Sequence, residues 1–130
     1  MIRDALPDKA QALYQFWSSF GLSTYDESSV PTGSNAPKFP YITYSVVTDN
    51  LGNNVGLTGS LWYRSSSWAA ISQKAEEIAK RLENLSPIKI EGGYMWLKRG
   101  SPFAQRMSDS NDDMIRRIYI NITAEFLTAY

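Results

Sequence analysis

The chain contains neither cysteine nor histidine. The first absence excludes disulfide staples and thiol nucleophiles, and together they exclude Cys/His zinc sites. Lacking histidine, the protein also lacks the usual general base near neutral pH. Absent cysteine fits an intracellular protein. Nor is there an excess of charge: 13 Lys and Arg balance 13 Asp and Glu. A neutral chain has no global field to hold a polyanion, which disfavours nucleic-acid binding as its main task, and it does little to keep copies apart. No run approaches the roughly 18 apolar residues of a membrane span. The N-terminal M-I-R-D-A-L-P-D-K has no apolar core of signal-peptide length. The expectation is a soluble protein that stays in the compartment where it is made, with no membrane partner.

What is present is a good supply of core-forming side chains. Of 130 residues, 43% are hydrophobic and 13% aromatic, which is enough for one core and a single domain over 1–130. The most informative stretch is 114–127, M-I-R-R-I-Y-I-N-I-T-A-E-F-L. Ile118, Ile120, Ile122, Ala124 and Phe126 share one parity, while Arg117, Tyr119, Asn121, Thr123 and Glu125 share the other. Such alternation predicts a strand with one face on a core. The strand is longer than the usual five or six residues. It is therefore expected to overhang its own sheet and to offer backbone groups to a neighbour.

Helical spacing of Ala10, Leu13, Tyr14, Trp17 and Phe20 predicts a first helix over 8–20, with Asp8 at its positive end and Gly21 as its stop. Residues 22–25 read as a short strand. The loop over 26–40 holds several prolines and turn formers, and is long for a structureless connection. Strands over 41–48 and 55–63 predict an antiparallel hairpin around the turn at 49–54. Trp68, Ile71, Ala75, Ile78, Leu82 and Leu85 form one apolar stripe on a second helix over 67–84, with the serines at 65–67 as candidate caps. A second hairpin, 88–91 with 94–99, turns at Gly92-Gly93. Gly100-Ser101-Pro102 is expected to break it, leaving 104–107 as a separate short strand and 109–113 as a polar turn. The fold class is α+β: a mostly antiparallel sheet with two α-helices packed on it.

The candidate chemical motifs fail on their details. Asp109, Asn111 and Asp113 have calcium-loop spacing, but Met114 replaces the required Gly and Ile120 the bidentate Glu. The pairs Asp26/Glu27 and Asp112/Asp113 are adjacent, whereas a glycosidase needs carboxylates facing each other across a cleft. Gly52-x-x-x-Gly56 lacks the Lys-Ser/Thr of a phosphate loop. The sequons at Asn84 and Asn121 have no secretory context. Lys98, Arg99, Arg106, Arg116 and Arg117 form the one basic concentration, readable as a solvated face, a subunit interface or a patch facing DNA. Tyr41, Tyr44, Trp62, Tyr63, Trp68, Tyr94 and Trp96 suggest a base or sugar platform, but their alternation favours core and interface packing.

Four segments carry a likeness: F-P-Y-I-T-Y-S (39–45), L-W-Y-R-S-S-S-W (61–68), G-S-P-F-A-Q-R-M (100–107) and D-D-M-I-R-R-I-Y-I-N-I-T-A-E-F-L (112–127). With them the chain resembles the small tail-completion proteins, or tail terminators, of long-tailed bacteriophages and prophages, over nearly its whole length. The resemblance implies an α+β domain that closes into a ring, typically a hexamer. Such a ring caps the finished tail tube, ends its polymerisation and presents a surface to the head–tail connector, while DNA passes through the lumen without specific binding. It implies no catalysis and no cofactor. It also implies a place at the head–tail junction of a virion assembled in the bacterial cytoplasm. A head-completion adaptor at the same junction and a small ligand- or nucleic-acid-binding domain are the competing readings. Under the ring reading, Arg99, Arg106, Arg116, Arg117 and Tyr119 are candidates for a subunit or lumen surface. Asp49, Asn50, Asn53, Asn54, Lys38 and Phe39 are candidates for docking loops.

Overall fold

The computed structural model describes residues 6–46, 54–109 and 111–128. It is an α+β domain. Helix α1 (Lys9–Ser18) is opened by Asp8, whose carboxylate accepts from the Gln11 amide at 2.8 Å. The Gln11 side chain returns the bond to the Asp8 amide at 3.0 Å, completing a capping box. Strands β1 (Ser23–Asp26) and β2 (Tyr41–Tyr44) flank the 26–40 loop, which contains one short 3-10 turn at Gly33–Asn35. Strand β3 (Asn54–Arg64) leads to helix α2 (Ala69–Glu83). Trp68 stands in the cap position without a side-chain bond, and the Ser67 hydroxyl accepts from the Ala69 amide at 3.0 Å. Strands β4 (Ile88–Ile90), β5 (Gly93–Ser108) and β6 (Ile115–Thr128) complete the chain.

The six strands form one sheet in the order β1-β2-β3-β6-β5-β4. All pairs are antiparallel except β1 with β2, which lie parallel because the long loop carries the chain back to its starting side. Both helices cover one face. Trp17 and Leu13 from α1, Ile71 and Ile78 from α2, and Ile42, Leu57, Leu61, Met95, Leu97, Ile120 and Ile122 from the sheet are almost fully buried there. At ~1.5–3 kcal/mol for each large side chain, this continuous core is the main source of stability.

Two expectations need correction. Strand β6 does not overhang. It lies in the middle of the sheet, with β3 paired along Ile115–Glu125 and β5 along Arg116–Thr128. Its length is matched by long partners on both sides, so neither of its edges is offered to a neighbour. Nor does Gly100-Ser101-Pro102 end a strand. Arg99 faces Ile122 and Ala104 faces Ile120, so five steps along β5 match two along β6 and three extra residues bulge out. Gly100 permits the bulge because a Cβ there would lie 2.8 Å from the Asn121 carbonyl oxygen. The Asn121 side-chain amide then donates to the Pro102 carbonyl at 2.9 Å. Of the expected 41–48 strand, Tyr41–Tyr44 is observed; residues 47 and 48 lie outside the described residues.

Candidate assembly surface

Strand alternation gives the sheet a second face, and no described helix covers it. Tyr41, Trp62, Arg117 and Met107 share one row across this open face. Tyr41 and Trp62 are stacked, with ring centroids 5.9 Å apart and planes 12° from parallel. Phe39 lies against Tyr41 at 5.3 Å and Tyr25 meets it edge-on at 6.2 Å. The Arg117 guanidinium sits 4.6 Å over the Trp62 ring and 5.5 Å over that of Tyr119.

Polar bonds fix this ladder. The Trp62 indole N–H donates to the Thr43 hydroxyl at 2.9 Å, and Arg117 Nε donates to the Ser60 hydroxyl at 3.1 Å. Arg117 makes no ion pair among the described residues. Beside it opens a pocket of about 250 Å³ lined by Trp62, Ser108, Asp109 and Arg117. Burial raises the Tyr41 phenol pKa, against the opposing pull of the Arg117 charge. Further along the face, Lys98 pairs with Glu125 at 2.8 Å and lies 4.2 Å over Trp96.

The expected basic cluster is divided by the sheet. Arg117 and Tyr119 stand on the open face, whereas Arg99, Arg106 and Arg116 stand on the helix face, because consecutive strand residues point opposite ways. Arg116 is committed to the fold: it donates to the Asp113 carbonyl at 2.7 Å and the Ser66 carbonyl at 3.1 Å. Its Nε is buried and, among the described residues, has no hydrogen-bond partner. Arg106 and Arg116 both lie over the Trp68 ring, at 4.8 and 5.2 Å. Arg99 pairs with Glu83 of α2 at 2.7 Å and rests over Phe103. The five candidates therefore do not form one surface.

Among the proposed docking residues, Lys38 and Phe39 are exposed, and Phe39 ties its loop to the open face through Tyr41. Asp49, Asn50 and Asn53 lie outside the described residues, and Asn54 opens β3. Sequence reasoning missed the joining of Tyr41, Trp62 and Arg117. The available signal was Trp62 on the polar parity of its strand, but register decides which cross-strand residue it meets.

Two further features lie at the sheet edges. Among the described residues β1 has a strand partner on one side only, and β4 covers β5 only along Gly93–Met95. Among the described residues the rest of β5 has no strand partner on its outer side. A groove of about 280 Å³ runs between this free half and α2, with Ala75, Ala79, Phe103 and Ile118 in its lining.

The acidic pairs have local tasks. Asp26 accepts from the Ser28 amide at 3.0 Å, and Asp112 accepts from the Met114 amide at 2.9 Å and pairs with Arg64 at 3.3 Å. Among the described residues no group of three or more acidic side chains is placed to hold a metal, and no helix is long and apolar enough to cross a membrane. The arrangement on the open face supplies packing, stacking and charge. No protein-family model, curated protein or solved structure matches this chain.

Proposed function

We propose that the protein is a structural tail-completion protein of a long-tailed bacteriophage or prophage. In this reading it forms a ring on the end of the tail tube, stops tube growth and offers the joined surface to the head–tail connector. The observation that carries an assembly role is the uncovered sheet face, where Phe39, Tyr41, Trp62, Arg117 and Tyr119 form a fixed ladder. Aromatic side chains and arginine are the residues that protein interfaces favour. The tail assignment itself rests on the likeness of the four quoted segments. A net charge of +0 suits a lumen that DNA must leave again.

A second reading is a small nucleic-acid- or ligand-binding domain, favoured by the Tyr41–Trp62–Arg117 stack, since aromatic and guanidinium planes also hold bases. The test is negative-stain microscopy of the protein mixed with purified tail tubes, with a DNA titration at varied salt alongside. Rings at one tube end with growth arrested support the terminator. Binding to emptied capsids instead moves the protein to the head side of the junction. Salt-steep DNA binding without either supports the second reading.

A further inference from the structure

The register of the sheet contains a relationship between its two free edges. Four rows of residues cross five strands without a break. The first is Ser23–Tyr41–Trp62–Arg117–Met107, and the second Thr24–Ile42–Leu61–Ile118–Arg106. The third is Tyr25–Thr43–Ser60–Tyr119–Gln105, and the last Asp26–Tyr44–Gly59–Ile120–Ala104. Each row starts on the outer strand β1 and ends on the uncovered half of β5. The two edges therefore stand at the same height along the strands. Strand β4 does not intervene, since it reaches only Met95, which faces Phe126.

The strand directions also fit. β1 runs with β2 and β6, and β5 runs against them. A second copy turned about an axis parallel to the strands brings its β1 antiparallel to β5, with no rise. A head-to-tail contact without rise closes into a ring, whereas one with rise winds into a filament.

Charge selects the occupant. Arg99 and Arg106 both lie on the free half of β5, on the helix face, so pairing this edge with itself would bring like charges together. The β1 edge ends in Asp26 and Glu27. In the zero-rise register Asp26 of one copy lies beside Ala104 of the next, one diagonal step from Arg106 on the same face. Arg106 has no carboxylate partner of its own among the described residues. The incoming strand would also flank the groove between β5 and α2.

We propose that copies of this chain join head to tail by adding β1 of one to the free half of β5 of the next, antiparallel and in row, with Asp26 reaching Arg106. The inference rests on the ring reading and names the surfaces that build the ring.

Because the chain has no native cysteine, introduced thiols report the contact cleanly. Ser23 and Met107 end the same row and are both exposed. Opposed residues of an antiparallel pair bring Cβ atoms within disulfide reach. Ser23→Cys protein mixed with Met107→Cys protein and mildly oxidised should give a mixed disulfide dimer. The Ser23→Cys/Met107→Cys double variant should give a ladder ending in a closed ring. A disulfide between two copies of the Met107→Cys protein, with no mixed dimer, would mean that the β5 edge pairs with itself and would overturn the proposal. Rings in micrographs without the mixed disulfide overturn the edge assignment and leave the ring reading standing. Absence of both rings and disulfide overturns the two together. Arg106→Asp should weaken association at least about tenfold, and the swap Asp26→Arg/Arg106→Asp should recover most of it. A swap as weak as the single variant, in a protein with a normal unfolding transition, overturns the Asp26–Arg106 contact.

Discussion

Gly59 lies against Trp17, so closely that a Cβ on Gly59 would come within 2.6 Å of the indole ring. The ring belongs to α1 and the glycine to β3, and the contact fixes how near the helix approaches the sheet. Gly59→Ala must displace a fully buried tryptophan. A loss of about 1–3 kcal/mol is expected in denaturant unfolding. An unchanged midpoint would mean that the helix shifts without strain.

Ile120 faces the core from the central strand, between Gly59 and Ala104, with no exposed surface. Ile120→Asp buries a charge with no partner, and the chain is expected not to fold. A soluble Ile120→Asp variant with native circular dichroism would show the core face to be elsewhere.

The reciprocal bonds between Asp8 and Gln11 anchor the start of α1. Asp8→Ala is expected to cost about 0.5–2 kcal/mol. Hydrogen exchange in the first turn of α1 should quicken, while protection in β6 falls only by the global loss. Equal exchange in that turn for both proteins would contradict the capping role.

Arg117 stands on the open face, so its removal leaves the core intact. Arg117→Glu is expected to fold cooperatively, with a loss of about 1–2 kcal/mol from the broken stack on Trp62, and to fail in capping tubes. Capping at wild-type efficiency would remove the open face from the assembly surface.

Burial raises the phenol pKa of Tyr41, Tyr44 and Tyr63 above the ordinary 10.0, with Asp26 adding at Tyr44 and Glu77 at Tyr63. The folded chain thus keeps protons that the unfolded chain gives up. Their contribution is fully present below about pH 10 and is lost as pH climbs through the raised values. Thermal scans should show the unfolding temperature falling above about pH 10, together with tyrosinate absorbance at 295 nm. Tyrosinate forming well before any loss of stability would mean that these phenols ionise freely in the fold.

Much of this architecture was legible. The alternation at 118–126 marked the buried face of β6, and the stripe Ile71, Ala75, Ile78 and Leu82 marked the buried side of α2. The same alternation already put Arg116 and Arg117 on opposite faces, so grouping them on one surface ignored the period that defined the strand. The continuity of β5 was hidden because Gly100 and Pro102 are local breakers, and what overrides them is a distant residue, Asn121. The place of β6 between β3 and β5 and the level alignment of β1 with β5 are matters of long-range register. No local pattern encodes them.

The central position of β6 has a consequence for how the protein is made. Among the described residues β3 pairs only with β2 and β6, and β5 only with β4 and β6. During synthesis the β1–β3 and β4–β5 halves emerge first, and until β6 arrives only helix packing links them, with no strand ladder between. Each waits with an open hydrogen-bonding edge and an unfinished core. Residues 115–128 must have left the ribosome before the two halves can close on them, so the decisive step of folding waits for β6 and is dominated by distant contacts. Crowded nascent copies are most exposed to mispairing in that interval, when the β3 and β5 edges that β6 will later occupy are both vacant.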